Sequence, residues 1–154
     1  MRVREFQSEL WLPLPPEELF PFFADAANLD ALTPPWLHFH IVTLPPVEMK
    51  AGALIDYRLR VHGLPLRWRT RINDWQPPHR FVDEQIRGPY RQWIHEHTFK
   101  ARDGGTLAHD SVRYAVPLDF LAHRLFVRPD IERIFKFRME ALKHRFAAPQ
   151  LAGT

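Results

Sequence analysis

The chain has no cysteine. Disulfides, thiolate metal sites and thiol nucleophiles are therefore excluded, and the composition fits a reducing compartment. It has only six glycines in 154 residues, and no internal repeat. No stretch approaches 18 apolar residues, the minimum for a membrane-crossing helix. The first residues, MRVREFQSELWLPLP, lack the apolar centre of a signal peptide. The expectation is a cytoplasmic protein with no stable membrane insertion. Nor is there a run of five or six like charges. Although the pI is about 9.6, the net charge is only +3, and its basic residues are spread along the chain. Nucleic-acid binding leaves a clustered basic footprint, so no nucleic-acid partner is expected.

What is present is aromatic and proline-rich: twelve Phe, five Trp and fifteen Pro. Hydrophobic residues make up 45% and charged residues 25%, a composition that can bury a core. The length suits one domain, placed at residues 1–148 with a tail at 149–154. Pro-Pro pairs at 15–16, 34–35, 45–46 and 77–78 mark boundaries, because proline lacks the amide donor and pushes its predecessor out of the helical region.

Residues 2–12 alternate as a strand with one wet side. Pro16, Glu17 and Glu18 suit a helix N-terminus, and Leu19, Phe22 and Phe23 give that helix an apolar face. Pro21 keeps it short or bent. A second short helix spans about 26–32. Strands are then expected at 36–43, 53–61, 66–75, 79–87, 91–102 and 106–116. Gly63-Leu64-Pro65 is the expected turn between the second and third of these. The 66–75 strand carries the cleanest period-2 signal, with Leu66, Trp68, Thr70 and Ile72 inside and Arg67, Arg69 and Arg71 outside. PLDFLAHRLF, from Pro117, reads as a short helix, and Pro129 opens a long one. Ile131, Ile134, Phe135, Met139, Leu142 and Phe146 form its apolar stripe, with Glu132–Lys136 and Glu140–His144 pairing outside. The fold class is thus α+β: a curved antiparallel sheet of about seven strands around a long C-terminal helix, with two short helices after the first strand. A half-wet sheet needs an apolar cover, and the long helix is the only candidate.

The chemistry concentrates in RQWIHEHTF, residues 91–99. His95 and His97 share a strand face with Trp93 and Phe99. The next turn offers a two-residue loop, Asp103-Gly104 or Gly104-Gly105. The first sets His97 opposite Asp110 and His95 opposite Val112, so that a His97–Asp110 hydrogen bond is expected. The second moves Asp110 one pair along the same face. Before the strand, the Gly88-Pro89-Tyr90 turn leaves His95 beside Asp83, Val82 or Glu84. The face holding Asp83 and Gln85 with Phe81 is taken as the inner one.

The stretch FVDEQIRGPYRQWIHEHTF (81–99), the GGT and DSVRY segments at 104–106 and 110–114, and TPPWLHFHI (33–41) resemble the SRPBCC superfamily of START-like, helix-grip proteins. Many of these are labelled polyketide cyclase/dehydrase. The likeness runs from the first strand to Phe146. It implies a deep, mostly apolar pocket between sheet and long helix. Members bind lipids, hormones, polyketides or other hydrophobic molecules, and some are aromatase/cyclases. No single catalytic set runs through the superfamily, so none is carried over.

Three readings of the site follow. In the first, a small hydrophobic ligand is held by apolar and aromatic side chains and oriented by a few polar ones. Phe39, Tyr57, Trp68, Trp93, Tyr114 and Phe135 supply the walls, although plain core packing competes for Tyr57, Trp68, Tyr114 and Phe135. Asp83, Gln85, His95, His97 and Asp110 supply the polar groups. In the second, His95 or His97 with Asp110 is the acid/base pair of a cyclase or dehydratase needing no cofactor. In the third, the histidines and a carboxylate hold a metal. With no cysteine and no third well-placed histidine to complete a ligand set, no metal is assigned, and His109 has the parity to face out. Trp36, after its Pro-Pro loop, is placed at the cavity mouth. The outer arginines read as a solvated face or, alternatively, as a protein-interaction surface. The chain is expected as a monomer or a homodimer.

Overall fold

Alternation at the N-terminus becomes a strand. The computed structural model describes residues 2–117 and 122–147. In it β1 runs Arg4–Leu12, with Glu5, Gln7, Glu9 and Trp11 exposed and Leu12 buried. Helix α1, Pro16–Phe23, has Pro16 in its first turn and tolerates Pro21 within its eight residues. Its fully covered ring is Phe20 rather than Phe23. Phe20 meets Trp75, Phe81 and Phe99 edge-on. Asp25 then caps a 3-10 segment, Ala26–Leu32, by accepting from the Ala27 amide at 3.0 Å.

The strand expected at 36–43 shrinks to β2, His40–Ile41. Pro34 and Pro35 hold the chain in a 3-10 turn, Pro35–Leu37, and His38 leaves it in the left-handed region at φ 48°. Extended pairing therefore starts only at His40. β3 (Leu54–Val61) and β4 (Leu64–Gln76) are joined through His62-Gly63, not the Gly63-Leu64-Pro65 expected. His62 and Gly63 take φ 50° and 78°, the two positive values that a two-residue hairpin turn matched to strand twist requires. Pro65 is tolerated near the start of β4, where only β3 pairs with it. β5 (Arg80–Arg87), β6 (Gln92–Arg102) and β7 (Gly105–Ala115) follow.

The sheet has seven strands in the order β1-β7-β6-β5-β4-β3-β2, with every pair antiparallel. Register shifts between β4 and β5 at Arg69/Thr70 and Ile72/Asp74 add local bend.

Helix α2, Arg128–Arg145, continues directly from a π-helical turn, His123–Val127. The short helix expected from Pro117 falls partly on residues 118–121, which lie outside the described residues, as does the tail at 149–154. The α2 stripe is as patterned: Ile131, Phe135 and Leu142 are buried, and Ile134, Met139 and Phe146 are half-buried. Its surface pairs differ from those expected. Glu132 bonds Arg128 one turn back, at 2.8 Å, where the guanidinium N–H meets it directly, and Glu140 sits 3.7 Å from Lys143.

Burial divides into two apolar clusters. One joins α1, Leu32, Phe81, Phe99, Ala108 and Leu142. The other joins Val112, Tyr114, Val116, Ile131 and Phe135. The histidines of β6 lie between them in sequence order along the strand.

Candidate functional site

β6 presents His95 and His97 on its inner face, 7% and 5% exposed. Their neighbours come from both sides. Asp83 on β5 is directly opposite His95, and Asp110 on β7 is directly opposite His97. The Asp103-Gly104 turn, at φ 51° and 75°, sets this second register. The shortest bonds, however, run diagonally. His95 Nε2 lies 2.7 Å from Asp110 Oδ1, and His97 Nε2 lies 2.7 Å from Asp83 Oδ2. The expected His97–Asp110 contact is present as a longer approach, 3.2 Å from His97 Nδ1 to the same Asp110 oxygen. The two imidazoles stack with centroids 3.6 Å apart, and Phe81 covers the far face of His97 at 3.9 Å.

A fifth group completes the floor. Arg138 of α2 reaches down to 3.7 Å from Asp110 Oδ1 and 3.5 Å from His97 Nδ1. Its Nε is buried without a partner. It lies on the buried stripe in a 4-3-4 spacing with Ile131, Phe135 and Leu142. A charged residue inside an apolar helical stripe is the signal that could have identified it.

These contacts set the charges. Burial works against an imidazolium at His97, but Asp110 and Asp83 outweigh it and raise its pKa above 6.5. Burial, followed by the neighbouring charge of His97, lowers His95 below 6.5 despite Asp110. Burial also opposes both carboxylates. For Asp83 the His97 bond leads the groups that overcome it, and the pKa is lowered. For Asp110 the charge of Arg138 leads, and the pKa lies well below its ordinary value. Near pH 6.5 the favoured state is therefore one imidazolium, one neutral imidazole, one guanidinium and two carboxylates, with no net charge. In that state His95 Nε2 donates to Asp110. Its Nδ1 is then a bare acceptor, with its nearest carboxylate, Asp83, 4.0 Å away.

Above this floor lies a cavity of about 370 Å³ between the sheet and α2. Of the expected residues, Phe39, Tyr57, Trp68, Asp83, Trp93, His95, His97 and Phe135 line it. Gln85, Asp110 and Tyr114 do not. The Gln85 amide is occupied at both ends by the Tyr90 backbone, closing the β5–β6 turn. Asp110 sits behind the histidines. Tyr114 is fully buried and bonded through its hydroxyl to His123 Nε2 at 2.8 Å. Trp36 is not among the lining residues; it is 44% exposed and packs against Phe137 and Arg133. His109 faces outward beside Gln7, as its parity requires. Leu66, Ile134, Phe126, His62 and Arg138 line the cavity without having been singled out as ligand contacts.

The walls are chiefly aromatic. Tyr57 stacks on Trp68 at 6.0 Å, and Trp68 meets Trp93 and Tyr90 edge-on. Thr70 gathers the polar tips, with the Tyr57 hydroxyl at 2.8 Å and Trp68 Nε1 donating at 3.0 Å. Burial raises the pKa of the Tyr57 phenol, so it stays neutral. At the open end His62 bonds Asp130 across the mouth at 2.8 Å.

Donor atoms of Asp83, His95 and His97 all lie within 4.8 Å of one another. A metal at about 2.0–2.2 Å from each would need their lone pairs to converge. Stacked rings hold theirs side by side, both Nε2 atoms are aimed at separate carboxylates, and Arg138 adds a cation beside them. The arrangement suits shared protons better than a metal.

The family described as polyketide cyclase / dehydrase and lipid transport matches residues 12–143. No curated protein matches the chain by sequence. Among solved structures, the Zhui aromatase/cyclase of a Streptomyces species is 15% identical, with a TM-score of 0.72 over 97% of this chain and 100% of its own. Protein Ms6760 of Mycobacterium smegmatis is 16% identical, with a TM-score of 0.73 over 98% and 99%. Ara h 8.0201 is 18% identical, with a TM-score of 0.64 over 94% and 98%. At these identities the likeness establishes the helix-grip fold.

Proposed function

The chain belongs to the polyketide cyclase / dehydrase and lipid transport family, and from that premise we propose that it binds one small hydrophobic molecule bearing a hydroxyl group. The observation carrying this reading is the apolar cavity with an unpaired acceptor, His95 Nδ1, on its floor. A volume of about 370 Å³ is at the small end for such sites. It suits a compact aromatic, polyketide-like or short lipid body rather than a long acyl chain. The floor is already neutral, so a neutral hydroxyl donating to His95 adds no uncompensated charge.

The direct test is mass spectrometry of lipophilic material extracted from the purified protein, followed by titration of the extract or of hydroxylated aromatics against Trp68 and Trp93 fluorescence. Ile134→Trp, which fills the cavity from the helix side, should weaken binding by at least about tenfold while thermal unfolding stays cooperative. Undiminished binding in that folded variant would place the ligand elsewhere.

The same acceptor supports a second reading as a cyclase or dehydratase. His95 Nδ1 would take a proton from the bound substrate and return it at a second atom, with Asp110 holding the tautomer. Conversion of a bound polyketone that disappears in His95→Gln, while binding survives, would separate catalysis from binding.

A further inference from the structure

The fold gathers arginines that are dispersed in the sequence. Three segments frame the open end of the cavity: 58–67 through Val61 and His62, 86–93 through Pro89 and Tyr90, and 122–129 through Phe126 and Val127. They carry Arg58, Arg60, Arg67, Arg87, Arg91 and Arg124, all exposed. They contain no Asp or Glu. Arg128 in the same region is bonded to Glu132, and Asp130, just beyond, is bonded to His62. On the outer face Arg58 lies directly across from Arg67, and Arg87 lies across from Arg69, which is itself held by Asp56 at 2.8 and 3.1 Å. Like charges placed opposite one another destabilise a sheet, so the Arg58–Arg67 pair serves no evident structural end.

Large apolar side chains stand among these arginines. Leu64 beside the hairpin tip is 67% exposed, and Leu125 and Phe126 at the start of the helical segment are 56% and 54% exposed. The Phe126 ring lies 5.8 Å from His62, which brings hairpin tip and helix start together at the mouth.

We propose that this end of the molecule docks on an anionic lipid surface. The arginines face the headgroups, Leu64, Leu125 and Phe126 enter the interface, and the cavity opens toward the membrane. Charge complementarity selects the surface, and the uncovered apolar crest gives it depth. Nucleic acid would share the charge, but its phosphates give an exposed apolar crest nothing to enter, and two of the three crest residues are aliphatic and cannot stack on bases. The docking surface rests on charge and exposure, so it stands or falls separately from the ligand assignment.

Co-sedimentation of the full chain with vesicles tests it. The protein should pellet with phosphatidylcholine vesicles containing phosphatidylglycerol, remain in solution with phosphatidylcholine alone, and be released by added salt. Arg60→Gln with Arg124→Gln should lower partitioning about 25-fold, and Leu64→Ser with Leu125→Ser should lower it further. Neither pair lines the cavity or the core, so far-UV circular dichroism and cooperative thermal unfolding should be unchanged and would show that the variants are folded. Equal binding to both vesicle types, binding to neither, indifference to the arginine changes, or displacement of vesicles by a short oligonucleotide would overturn the proposal.

Discussion

His95 and His97 are two residues apart on one strand, yet their pKa values move in opposite directions from 6.5. Each has a carboxylate at 2.7 Å. The difference lies in the second nitrogen: His97 Nδ1 is 3.2 Å from Asp110, whereas His95 Nδ1 is 4.0 Å from Asp83. A cation 3.6 Å away in the stack then discourages a second one. Titration of the imidazole carbon-bound protons by NMR should show two separated steps, His97 above 6.5 and His95 below it. Coincident midpoints would remove the basis for a bare acceptor at His95 Nδ1. Parity and the hairpin turn predicted which side chains share this face, because both follow from the two-residue period of a strand. They could not predict which nitrogen meets which oxygen. That depends on side-chain torsions and on Arg138, which arrives from a helix 28 residues further on than Asp110.

At the scale of elements, legibility followed the strength of local chemistry. β4 shows its alternation directly, with Trp68, Thr70 and Ile72 buried and Arg67 and Arg71 exposed. The strand expected at 36–43 failed because alternation in Leu37, Phe39 and Ile41 competes with backbone limits set by Pro34 and Pro35, and the backbone limits prevail. Arg138 was missed because its type reads as surface while its spacing reads as core. The β6–β7 hairpin depends on small residues for two distinct reasons. Gly104 needs its positive φ of 75°, while a Cβ on Gly105 would meet the Leu12 carbonyl oxygen at 2.3 Å and the Trp11 ring at 2.6 Å. Gly104→Ala should therefore cost about 1 kcal/mol. Gly105→Ala should cost more, about 2–3 kcal/mol, because backbone on β1 must move. Urea unfolding of the two variants checks the order.

Across the whole molecule, buried charge sets the response to pH. Asp83 and Asp110 have pKa values lowered from 3.8. They contribute stability above that value and lose it as pH falls through their folded values. His97, raised above 6.5, contributes below 6.5 and loses it as pH climbs through its folded value. His95, lowered, contributes above 6.5 and loses it as pH falls. Stability should form a plateau between the two histidine steps and decline on both sides. In denaturation measured across pH, His97→Gln should abolish the alkaline decline and also weaken the acid one, because it removes the bond that lowers Asp83 and the charge that helps lower His95. No helix among the described residues is long and apolar enough to cross a membrane, and the docking proposed above requires none.

The crossed His–Asp bonds bind β5, β6 and β7 to one another through the same side chains that face the cavity. A slip of the β5–β6 hairpin would separate His97 from Asp83, and a slip of β6–β7 would separate His95 from Asp110, so the recognition floor is also a seam of the fold. Such a floor resists change: substitutions that retune it also loosen strand pairing. New ligand preferences are better sought in the walls, where Phe39, Leu66 and Ile134 border the same space without stitching strands together through polar bonds. A library confined to those three positions should alter preference at little cost in folding, and one aimed at the histidines should lower stability more often than it alters preference.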